Sequence, residues 1–244
     1  MAQKRVQKRF TSQVNIVEFQ QPHLIKPKRY SVTLNPRNQR QKEYVAMLQD
    51  EDISIVFAVG PAGTGKTMLA VQNGIKLFQE GLIDKIIVTR PAVSVDEELG
   101  FLPGTLNEKM APWIIPILDV FGEYYHQTDI KRMLADGDLE VAPFAMMRGR
   151  TFKHAYIIAD ETQGCTPNQM KMLLTRIGEG SKMVITGDLD QADRGDNNGL
   201  KEFLDLYSKY VTTATSSKIQ FTEFSKKDIE RHPVVTEILS IYEK

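Results

Sequence analysis

From residue 38 onward the chain alternates between two hydrophobic rhythms. Residues 38–50 (NQRQKEYVAMLQD) place Tyr44, Met47 and Leu48 three and four positions apart, the spacing of an amphipathic helix. Residues 53–59 (ISIVFAV) form an apolar run between Asp52 and Gly60, as a strand buried on both faces does. Residues 67–81 return to helical spacing and stop at Gly81. Further strands are expected at 85–91 (KIIVTRP), 154–161 (HAYIIADE), 182–188 (KMVITGD) and 218–224 (KIQFTEF), with a helix near 167–178. Strands alternating with helices predict an α/β domain with a mostly parallel sheet. The stretch 92–150 is the least regular and holds Pro103, Pro112, Pro116 and Pro143; it is expected to be an insertion between strands. Residues 1–30 show no sustained periodicity, contain Pro22 and Pro27, and are expected to form an arm or short strands packed on the main domain; the division expected is 1–34 as the arm and 35–244 as the domain.

Charge sharpens the division. The 244 residues carry 31 basic and 31 acidic side chains, yet residues 1–42 hold ten Lys/Arg against Glu18, a net +9, which leaves −9 on the remainder. A basic arm on an acidic body suits phosphates of a nucleic acid, the acidic face of a neighbouring subunit, or simply solvent. Cys165 stands alone, so no internal disulfide forms and a reducing compartment is expected. No run of 18 apolar residues occurs and the N-terminus lacks a signal-peptide core, so no membrane span and a cytoplasmic location are expected.

The chemistry concentrates at strand ends. Gly60-Pro61-Ala62-Gly63-Thr64-Gly65-Lys66-Thr67 matches G-x-x-x-x-G-K-[ST], with an apolar strand before it and a helix after it. Such a loop turns backbone N–H groups toward phosphate oxygens at the positive end of a helix. Lys66 is expected to reach the β- and γ-phosphates, Thr67 to ligate Mg²⁺, and Met68 to flank the nucleotide. Asp160 and Glu161 end the strand 154–161, where Asp160 is the candidate metal partner and Glu161 the candidate to polarise an attacking water. Gln191 follows the strand 182–188 and is the candidate sensor of the γ-phosphate or the water. Cationic help is sought among Arg90, Arg148, Arg150, Arg176 and Arg231, among which sequence does not choose. His23, His126, His154 and His232 lack metal-ligand spacing, Cys165 reads as a packed residue, and Trp113 as core or a stacking surface.

Together these strings, with ELGFLPG, MRGRT, TPNQMKMLLTRIG, TGDLDQ and ERHPVVTEI, resemble the PhoH-like family of P-loop ATPases over about residues 35–244. That family is similar to the first RecA-like domain of superfamily-one helicases. The resemblance implies ATP and Mg²⁺ as cofactors, with Gln41 reading the adenine, Asp160, Glu161 and Gln163 in the metal-and-water motif, and Gln191 as sensor. It implies that a neighbour in a homo-oligomer, expected to be a hexameric ring, completes the site with an arginine finger, for which Arg231, Arg176 and Arg148 are candidates. Some relatives carry a fused PIN nuclease domain; no acidic cluster for that chemistry is found here, and nuclease activity is not expected.

Three functions compete. The first is ATP hydrolysis coupled to binding or remodelling RNA or single-stranded DNA. The second is a binding or assembly module that uses ATP as a switch. The third, a small-molecule kinase, needs an acceptor pocket, whereas the Asp160–Glu161 pair and TGDLDQ suit water.

Overall fold

The computed structural model describes residues 31–91, 106–192, 197–212, 217–231 and 233–242. Asn38 accepts the Gln41 N–H at 2.9 Å and so caps α1 (Gln39–Gln49), which buries Tyr44, Val45 and Leu48. The chain continues through β1 (Ile55–Val59), α2 (Lys66–Gln79), β2 (Lys85–Arg90), α3 (Leu106–Tyr124), α4 (Gln127–Asp136), β3 (Leu139–Pro143) and the single turn α5 (Phe144–Met147). It ends with β4 (Ala155–Ala159), α6 (Pro167–Leu174), β5 (Lys182–Gly187), α7 (Gly199–Val211), β6 (Ile219–Glu223) and α8 (Pro233–Tyr242).

The six strands form one sheet in the order β3-β2-β4-β5-β1-β6, every pairing parallel. This is the expected α/β organisation around a parallel sheet. Strand alternation sends Val56, Ala58, Ile86, Val88, Ile158 and Val184 into a core layer with Leu48, Leu69, Ile75, Ile117 and Phe121. The opposite set, Ile55, Phe57, Ile87, Ile157, Met183 and Ile185, packs with Phe144, Met170, Leu173 and Leu200. Phe57 stacks on Phe203 of α7 with ring centroids 4.9 Å apart. Each fully buried aliphatic or aromatic side chain contributes about 1.5–3 kcal/mol, so both faces of the sheet are firmly covered. β5 lies between β1 and β4, which brings the C-terminal ends of all three together.

The expectation of a plain insertion at 92–150 needs correction. Its described part supplies β3, the edge strand that pairs with β2 from Leu139 to Pro143, together with α3 and α4. Five residues with Glu140 as the second carry too little alternation to be read as a strand. Helix α3 continues through Pro112 and Pro116, although each proline removes a backbone donor. Packing against α2 and burial of Ile117 and Phe121 outweigh that loss. The pattern reading also does not name α7 or α8. Residues 1–30, most of the expected arm, lie outside the described residues, while Val32 is buried in the first core layer with Leu34 against it. Among the described residues no helix is long and apolar enough to cross a membrane.

Candidate functional site

The glycine-rich segment leaves β1 between its two neighbours. Gly60 donates its N–H to Gly187 O at the end of β5 (3.0 Å), and Phe224 after β6 donates to Val59 O (2.7 Å). A side chain at Gly60 is impossible: φ is +139° and a Cβ would sit 2.2 Å from Phe224 O.

The carbonyls of the loop explain its shape. Gly60 O and Pro61 O accept from Lys66 Nζ at 2.6 and 2.7 Å. Ala62 O accepts from Arg231 Nη2 at 3.2 Å, Gly63 O from Glu230 N at 2.9 Å, and Thr64 O from Gln41 Nε2 at 3.0 Å. Five successive carbonyls are thus held by donors of the protein, and the intervening N–H groups are left for an anion. Helix α2 begins at Lys66, so its positive end faces the same place. Tyr44 donates its hydroxyl to Lys66 O at 3.2 Å, and burial raises its pKa well above the ordinary value, which keeps that proton in place.

A cleft of about 270 Å³ opens over the loop, lined by Ala62, Gly63, Gly65–Met68, Asp160, Glu161, Gly187, Asp188 and Gln191. Thr67 donates its hydroxyl to Asp160 Oδ1 at 2.8 Å, and Thr186 donates to the same oxygen. A hydroxyl and a carboxylate side by side are a suitable donor set for Mg²⁺, which takes one or two protein oxygens and fills its octahedron with phosphate and water. Glu161 adopts a left-handed backbone (φ 54°) and turns its carboxylate to Gln163 Nε2 at 2.5 Å. Gln163 in turn accepts the Asp188 N–H at 3.1 Å, and Asp188 Oδ2 accepts from Gln191 Nε2 at 2.6 Å. One hydrogen-bonded path therefore joins the candidate base to the candidate sensor. Burial lowers the Lys66 pKa, while Asp188, Glu161 and Asp160 raise it. A cation flanked by three acids is poised to exchange them for phosphate charge.

The structure brings Lys66, Thr67, Met68, Asp160, Glu161 and Gln191 to this cleft. Gln41 lies behind the loop with 1% of its surface exposed. Of the arginines, Arg231 lies on the loop of its own chain. Arg176 spends its guanidinium on Met172 O, Arg150 O and Thr175 Oγ1 at 3.0 Å each, next to the start of β4, at the end of the sheet away from the cleft. Arg150 pairs with Glu140, and Arg148 is exposed. Cys165 is buried, as a packed residue should be; the side chain of Trp113, and His23 and His232, lie outside the described residues. Sequence reasoning gave Thr186 and Asp188 no role; TGD at a strand end beside the acidic strand was the available signal.

Comparison with known proteins agrees with this picture. The family model described as PhoH-like protein matches residues 33–243. A PhoH-like protein of Bacillus subtilis (strain 168) is 45% identical over 204 residues, covering 84% of this chain and 62% of the relative. Protein PhoH of Escherichia coli (strain K12) is 37% identical over 212 residues, covering 84% of this chain and 57% of the relative. The chain thus spans about three-fifths of these relatives' length. Among solved structures, a Pif1 helicase from Candida albicans aligns over 86% of this chain and 44% of its own, with 16% identity and a TM-score of 0.39. The family match over nearly the whole described domain, together with relatives of this identity, means that the chain belongs to the PhoH-like family.

Proposed function

We propose that this chain hydrolyses ATP with Mg²⁺ and couples the reaction to binding or remodelling of RNA or single-stranded nucleic acid. The observation that carries the hydrolase reading is the convergence of an inward-facing phosphate loop, a Thr67–Asp160 oxygen pair and a tethered Glu161 on one cleft. The loop N–H groups and Lys66 bind the β- and γ-phosphates. Thr67 and Asp160 hold the metal, whose charge, when bound, offsets that of the phosphates. Glu161 takes the proton of the attacking water, held in orientation by Gln163. Asp188 positions Gln191 toward the same water or the γ-phosphate. Arg231 supplies positive charge beside the loop from the same chain. The exposed Arg148 is the candidate for service across a subunit boundary in a ring of copies of this chain, expected to be hexameric. The net +9 on residues 1–42 supports the nucleic-acid half.

The test is ATP turnover with and without single-stranded RNA, beside a sedimentation measurement. Wild type should turn over ATP and speed up with RNA at low salt. Glu161→Gln should keep ATP affinity while turnover falls about 10²-fold or more. If wild type binds ATP without hydrolysing it, and Glu161→Gln leaves cellular function intact, the chain is a switch and not a hydrolase.

A further inference from the structure

Gln41 is the residue that the family resemblance makes the reader of adenine, and its surroundings give it a different task. Both ends of its amide are engaged inside the protein. Oε1 accepts the Arg37 N–H at 2.7 Å, and Nε2 donates to Thr64 O at 3.0 Å. The side chain is 1% exposed and is absent from the cleft lining among the described residues. Gly65 leaves room for it: a Cβ there would stand 3.0 Å from Gln41 Nε2. The same end of α1 is fastened to the C-terminal segment, where Asn38 Nδ2 donates to Asp228 O and to Glu230 Oε1, each at 3.3 Å. Glu230 N and Arg231 then hold the next two loop carbonyls, Gly63 O and Ala62 O.

We infer that Gln41 is a positioning residue for the phosphate loop and leaves the base unread, so that the site accepts nucleoside triphosphates with little regard to base. By drawing Thr64 O outward, Gln41 fixes the peptide between Thr64 and Gly65 with the Gly65 N–H on the phosphate side. That contribution is the same for adenine, guanine or no base at all. Among the described residues the cleft is lined by the loop, Asp160, Glu161, Gly187, Asp188 and Gln191, and no residue of α1 reaches it.

The inference rests on the phosphate-site reading, and the experiment separates the two. Competition against a fluorescent nucleotide is measured for ATP, GTP and inorganic tripolyphosphate, with wild type, Gln41→Met and Gln41→Glu, and steady-state kinetics follow on the same proteins. Wild type should bind ATP and GTP within about threefold of each other. Either variant should weaken all three ligands by one common factor, about tenfold for a lost buried hydrogen bond. KM for ATP should rise by that same factor, with kcat changed less than threefold. A loss of ATP binding while tripolyphosphate binding is unchanged overturns the inference and returns Gln41 to the base. Should neither variant fold, wild type decides alone: a preference for ATP over GTP beyond that threefold overturns base indifference. Failure of wild type to bind any of the three refutes the phosphate site itself.

Discussion

Gly63 offers a sharp test of the clamp around the phosphate loop. Its φ is +85°, and a Cβ there would stand 2.7 Å from Arg231 Nε. Gly63→Ala therefore carries two separable penalties. Holding alanine in the left-handed region costs about 1–2 kcal/mol wherever Arg231 is. Displacing the guanidinium also breaks its bond to Ala62 O, 3.2 Å long and open to solvent, worth about 1 kcal/mol together with the lost contact. Gly63→Ala should thus cost about 2–3 kcal/mol in urea unfolding, and its melting temperature should fall by about 5–10 °C for a chain of this size. Once Arg231→Ala has removed the obstacle, Gly63→Ala should cost only the backbone part. The double-mutant cycle then yields a coupling near 1 kcal/mol, above the ~0.3–0.5 kcal/mol scatter of independent sites. Additive effects would mean that Arg231 does not lie on the loop in solution. A cost for Gly63→Ala under about 0.5 kcal/mol would refute the left-handed conformation as well.

Two further outcomes follow from contacts outside the cleft. Glu140 is held below its ordinary pKa of 4.5, first by its hydrogen bonds from Arg150 and then by the charges of Arg150 and Lys85, against the opposing effect of burial. Because the folded pKa is the lower one, the stabilisation is complete above the unfolded value and is lost as pH falls through the folded value. The stability gap between wild type and Glu140→Gln should therefore be widest at neutral pH and shrink below about pH 4.5 in urea titrations, and a gap independent of pH would refute the pairing. Lys182 donates to Met47 O, Leu48 O and Asp50 O at 3.2, 2.7 and 2.6 Å, closing the C-terminal end of α1. Lys182→Met should cost about 1.5–3 kcal/mol and lower the melting temperature by about 4–8 °C, whereas an unchanged melting curve would show those carbonyls to be satisfied by water.

What was legible in the sequence is what is local. β1, β4 and β5 are buried on both faces, so they read as apolar runs, and the residues closing them fall at the C-terminal edge of the parallel sheet. Lys66, Thr67, Asp160 and Glu161 could be named because each follows its strand within a few positions. β3 was missed because an edge strand of five residues, half-exposed at Glu140 and Val141, has no hydrophobic rhythm of its own; its pairing with β2 decides its state. The clamp on the loop was missed for a different reason. Arg231 meets Ala62 across 169 positions, and Asn38 meets Glu230 across 192, so no window along the chain contains both partners. These contacts also alter what a motif residue does. Gln41 and Arg231 fit roles in which one reads a base and the other reaches a neighbouring subunit, and yet in space each donates to a carbonyl of the same loop. Residue type and spacing fix which groups are available. Which of their hydrogen bonds are already spent is decided by the parts of the chain that fold back onto them, and on that count the outer side of the phosphate loop belongs to α1 and to the segment that follows β6.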